Sequence, residues 1–146
     1  MCACTAGGVV GVIGLLSGCV SSSRTADDFE HKAQNSAEAA LSSVETTRLV
    51  LQLARDGDAP GTYLSVLVGE AETDVSSVEG GFASVQPPDH ESDELRREVG
   101  DALHEASDVI SEVRIAVRRN QLSSLDQFSE PLAKVSDDLK RLSGES

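Results

Sequence analysis

The chain has no tryptophan, one tyrosine and three phenylalanines among its 146 residues. Stacking platforms for bases or sugars therefore have almost no raw material. Positive charge is also scarce, with 12 lysines and arginines set against 25 aspartates and glutamates, a formal net charge of -13. A chain of that sign repels phosphate backbones and anionic headgroups, so nucleic acid is not an expected partner. Cysteine is confined to Cys2, Cys4 and Cys19, which leaves the body beyond them without a thiol nucleophile or a disulfide. Cys2 and Cys4 lack the further ligands a metal site needs. Long apolar runs are missing too: the longest uncharged apolar stretch, Gly7 to Gly18, is about a dozen residues, whereas a spanning helix needs roughly 20.

That stretch contains Val9, Val10, Val12, Ile13, Leu15 and Leu16, and no ionised side chain precedes Arg24. Its length suits the hydrophobic centre of a secretory signal. Its end, Leu16-Ser17-Gly18-Cys19, resembles the lipobox of bacterial lipoproteins. The resemblance covers about the first 20 residues. It implies that a peptidase cuts between Gly18 and Cys19, and that Cys19 carries a diacylglyceryl group as the first residue of the mature chain. Two acyl chains are the minimum for stable retention, since each buried methylene contributes about 0.8 kcal/mol and a single chain anchors only marginally. One departure from the family is the absence of lysine or arginine in Met1-Cys2-Ala3-Cys4-Thr5. Either the start lies upstream of this methionine, or the amino terminus alone supplies the orienting charge. The expected organisation is a signal peptide over 1–18, a lipidated cysteine and flexible tether over 19–24, and an acidic helical bundle over 25–146. Serines dominate the tether and give it no apolar face.

Beyond the tether, apolar residues recur at helical spacing in four segments, and no convincing alternating strand is found. Thr25 is placed to cap the first, with Asp28 complementing its positive end. Ala33, Ala37, Ala40, Val44, Thr47, Leu51 and Ala54 then follow at four-three spacing, widened by Phe29 and Leu41. Arg55 and Gly57 supply the expected stop. Leu64, Leu67, Ala71, Val75, Val78, Phe82 and Val85 draw a second stripe, the weakest, because each interior glycine costs about 1 kcal/mol relative to alanine. The pair Gly80-Gly81 there predicts an end, a kink or a close helix crossing. Pro87-Pro88 forces a boundary after Gln86.

The third segment runs from about Asp89 to Asn120. Leu95, Val99, Ala102, Ala106, Val109, Val113 and Ala116 keep the four-three rhythm, while Leu103, Ile110 and Val117 add a second line. So broad a stripe belongs in a multi-helix core. Acidic residues at its start and Arg114, Arg118 and Arg119 at its end match the macrodipole. The fourth segment carries Leu122, Leu125, Leu132, Val135, Leu139 and Leu142, with Pro131 either kinking it or opening its main run. Short turns between four stripes predict an all-α, antiparallel up-down bundle of four helices, or of three with the second segment loose.

Chemistry is sparse on this scaffold. No serine lies in a Gly-x-Ser-x-Gly elbow, and no phosphate loop is present. Two Asp-x-x-His pairs, Asp28 with His31 and Asp101 with His104, are the sharpest metal candidates. Yet His31 is about 200° around the helix from Phe29 and Ala33, and His104 stands likewise to Ala102 and Ala106, so both rings are expected in water. His90-Glu91 resembles the opening of a zinc-protease helix, but Glu94 occupies the place of the second histidine. Asp89, Glu91, Asp93 and Glu94 read as a complement to a helix start. No catalytic residue, metal or cofactor is expected. The expectation is a non-enzymatic lipoprotein on the extracytoplasmic face of the cell membrane, serving as an envelope interaction or structural module. Its partners are the membrane, through the lipid, and an envelope protein. The alternative is an extracytoplasmic bundle that binds a small molecule or lipid in a cavity opened at Gly80-Gly81.

Overall fold

The computed structural model describes residues 25–144, which form four α-helices and, among the described residues, no β-strand. α1 spans Ala26–Asp56, α2 Gly61–Ala83, α3 Ser92–Arg118 and α4 Ser129–Ser143. A 3-10 helix, Leu122–Phe128, joins α3 to α4. Side-chain pairs fix the directions. Glu72 and Glu79 on α2 meet Arg114 and His104 on α3. Glu98 and Glu105 on α3 meet Arg141 and Lys134 on α4. In both sets the numbers rise on one helix as they fall on the other, the signature of antiparallel neighbours. The bundle is therefore up-down-up-down. α1 packs against all three other helices, α1 and α3 close the diagonal, and α2 and α4 share no contact.

The ends of α1 follow from its sequence. Thr25 is extended and its hydroxyl accepts from the Asp28 amide at 3.2 Å, satisfying one of the free donors of the first turn. At the other end Gly57 adopts φ 70°, and the Gly57 and Asp58 amides both return to the Leu53 carbonyl. Only the left-handed conformation permits that closure, and glycine adopts it without a Cβ penalty. Asn120, at φ 56°, ends α3 in the same way, with its own amide on the Val117 carbonyl and the Gln121 amide on Ala116. Pro131 lies in the first turn of α4, where a missing N–H leaves no hydrogen bond unmade. It opens the helix and does not kink one.

The core contains most of both lines read from α3: Val99, Ala102, Ala106, Val113 and Ala116 are buried beside Leu103, Ile110 and Val117, while Leu95 and Val109 of the first line are only partly buried. The α1 stripe from Phe29 to Leu51 is buried as well. Val50 and Val68 are also fully buried, whereas Leu67 is only partly so. Gly80 and Gly81 require a correction. α2 runs through both to Ala83, and a Cβ at either would meet nothing within 4 Å, so no close crossing occurs there. Burial of Val75 and Phe82, with the Phe82 ring tilted against that of Phe29 of α1 at a centroid distance of 5.9 Å, carries the helix past the pair.

Candidate functional site

Gly18 and Cys19, the proposed cleavage and lipidation positions, lie outside the described residues, as does the tether up to Arg24. The described chain begins at Thr25, exposed at the start of α1. α1 and α3 run in the same direction, so their starts share one end of the bundle. That end carries exposed Asp27, Asp28 and Glu30 from α1, and Asp89, Glu91, Asp93 and Glu94 from the approach to α3. The described chain thus begins at an end rich in exposed acids, which also carries Arg97 of α3 and Arg141 of α4.

This acidity has local structural uses. Asp89 Oδ1 accepts from the Ser92 amide at 2.9 Å and the Ser92 hydroxyl at 2.8 Å. Those bonds hold the Asp89 carboxyl below its ordinary value. Asp89 therefore does the capping work at α3, since Glu91, immediately before the helix, makes no capping bond. His90 Nδ1 lies 3.1 Å from Asp93.

The Asp-x-x-His pairs do not converge. His31 and His104 are both exposed, and among the described residues no group of three or more histidine, cysteine, aspartate or glutamate side chains is placed to hold a metal ion. His104 instead bridges two helices. Its Nδ1 is 3.0 Å from Glu79 on α2, and its Nε2 is 3.6 Å from Asp108 on α3. The hydrogen bond to Glu79, then the charges of Asp108, Glu79 and Asp101, raise the His104 pKa above its ordinary value. The ring serves as a tie between α2 and α3.

Other polar contacts join residues far apart in the chain. Arg55, near the end of α1, donates through Nε and Nη2 to Asp126 in the 3-10 helix at 3.0 and 2.6 Å. Ser136, fully buried on α4, donates at 2.7 Å to Glu45 on α1. Burial pushes the Glu45 carboxyl up, but the Ser136 hydroxyl together with Arg48 and Lys140 outweighs it, and the net shift is downward. Arg114, read from the sequence as a helix-end charge, is half-buried against Glu72 of α2. Apart from Arg48, three residues from Glu45, none of these partners is signalled by local spacing.

The concavities are open creases. One of about 380 Å³ lies along α1 beside Arg48, Gln52, Arg55 and Ser129. Arg48 there is neutralised by Glu45, and Arg55 by Asp126. Near Gly81 a crease of about 300 Å³ separates Ser36 and Ala39 of α1 from Val78 and Phe82 of α2. No helix among the described residues is long and apolar enough to cross a membrane. No family model, curated relative or solved structure matches the chain.

Proposed function

We propose that this chain is a bacterial lipoprotein that is cleaved before Cys19, anchored through lipid on that cysteine, and held on the extracytoplasmic face of the cell membrane. Its acidic helical bundle then acts as a non-enzymatic interaction or structural module of the envelope. The observation that carries the reading is Leu16-Ser17-Gly18-Cys19 at the end of a short apolar run. The start of α1, exposed at Thr25 and Ala26, is consistent with it, because the six residues from Cys19 to Arg24 directly precede it in the sequence. The crease beside Arg48 and Arg55 is lined by paired charges and the apolar one near Gly81 is open and shallow, so cavity binding stays second.

Metabolic labelling with a palmitate analogue tests the proposal. The wild-type chain is expected to incorporate label and to lose residues 1–18 by intact mass. Cys19→Ala is expected to abolish both. Label retained in that variant, or a natural product still carrying residues 1–18 without added acyl mass, overturns the anchor.

A further inference from the structure

We infer that α2 is a detachable helix, opening as one unit while α1, α3 and α4 remain packed, and that its interior glycines set how readily it opens. Three features of the fold bear on this helix, and the second and third set it apart from α4, the other flanking helix.

The first is its place in the bundle. α2 flanks the α1–α3 pair, as α4 does on the opposite side, and α1, α3 and α4 contact one another without it. Lifting α2 away therefore leaves three mutually packed helices. Its connectors allow the movement, since each is irregular and contains proline, with Pro60 before the helix and Pro87-Pro88 after it.

The second is backbone composition. Gly69, Gly80 and Gly81 sit inside α2 with helical geometry, and a Cβ on any of them would meet nothing within 4 Å. Packing does not explain them, and neither does a left-handed φ. Glycine there leaves the helix with more freedom to lose on forming than alanine would. α4, the other flanking helix, has no glycine before its C-cap at Gly144.

The third is the state of the helix ends. Pro60 provides no side-chain cap, the first turn has no acid, and the last turn has no base. The start of α2 is thus uncompensated, in contrast to α1, α3 and α4, and at its end the helix depends on a base from outside, Arg96 of α3. What holds α2 is the burial of Leu64, Val68, Ala71, Val75 and Phe82. To this are added ties to α3: Glu72 with Arg114, Glu79 with His104, and Arg96 to the Ala83 carbonyl. Local opening draws on elements with few compensations of this kind. When α2 lifts, Phe29 of α1 loses its ring contact with Phe82 and an apolar face becomes available on demand.

Amide hydrogen exchange on the full chain, read by mass spectrometry, tests the inference. Peptides from α2 are expected to exchange faster than those covering Ala33–Val50 of α1 and Val99–Val117 of α3. Replacing Gly69, Gly80 and Gly81 with alanine should slow α2 exchange by roughly fivefold per substitution while leaving the early exchange of α1 unchanged. Gly100→Ala, in α3, is the control: it should leave the separate opening of α2 as it was. Exchange of α2 in step with α1 and α3 in the wild-type chain overturns the proposal. So does an α2 rate that the triple substitution fails to move, or one that Gly100→Ala moves equally.

Discussion

His104 shows how a side chain placed in water can still contribute to the fold. Glu79 reaches it across the α2–α3 boundary and Asp108 flanks it from its own helix, so its folded pKa exceeds the unfolded one. The sign follows from linkage: the contribution is fully present below the unfolded value, about 6.5, and is lost as pH rises through the higher folded value. His104→Gln should therefore melt below wild type at pH 5.5 and coincide with it at pH 8.5. A variant equally displaced at both pH values would mean that the ring acts through packing and not through charge. The placement of both histidines in water was legible from helical periodicity, because Phe29 and Ala33, or Ala102 and Ala106, fix which face is buried. Asp108, four residues on, fits helical spacing, but the partners on other helices were not legible. Glu79 is 25 positions from His104, and Ser136 is 91 from Glu45, and no local rule spans such distances. The proposed anchor stands apart: Cys19 is read wholly from the motif around it, and the fold adds only the exposed point where the tether joins.

Within the elements, glycines are best understood by comparing two that look alike in the sequence. Gly57 holds φ 70° at the end of α1, a conformation that costs other L-residues roughly 1–2 kcal/mol. Gly100 lies mid-helix in α3, where a Cβ meets nothing within 4 Å. Alanine should therefore have opposite effects, destabilising by about 1 kcal/mol at Gly57 and stabilising by about 0.5–1 kcal/mol at Gly100. Urea unfolding with unchanged slopes measures both, and a shared sign would show that one of the two conformations is misassigned. The element boundaries were similarly legible where a chemical device sets them. Thr25, Gly57 and the proline pair each mark a stop or start found in the fold. Buried faces were harder to read. α1 packs against three helices, so its buried face exceeds one four-three line and takes in Val50. In α2, Leu67 and Val68 both sit beside Leu64 on the helix surface, and only the positions of α1 and α3 select Val68 for the interior. Gly80-Gly81 misled because glycine weakens a helix without ending it when Phe82, the next residue, is anchored in the core.

On the scale of the whole molecule, the distribution of charge matters more than its total. Two parallel helices, α1 and α3, start at the end to which the proposed tether would join, and exposed acids flank both starts. With Cys19 held in a bilayer, six extended residues let Thr25 rise no more than about 20 Å above the anchor. That reach is about two Debye lengths at physiological salt and less than one at 0.01 M. An anionic leaflet therefore pushes the acidic end outward until the tether is taut at low salt, and ceases to do so when the field is screened. A neutral leaflet exerts no such force. A donor dye at Ala26→Cys on the lipidated protein, with an acceptor on the headgroups, should transfer less energy on phosphatidylglycerol-rich vesicles than on phosphatidylcholine at 0.01 M salt. At 1 M salt, where the screening length falls to about 3 Å, the two should agree. Equal transfer at low salt would mean that the bundle rests on the membrane through another face, and the acidic end would then lose its role in setting the stance of the molecule.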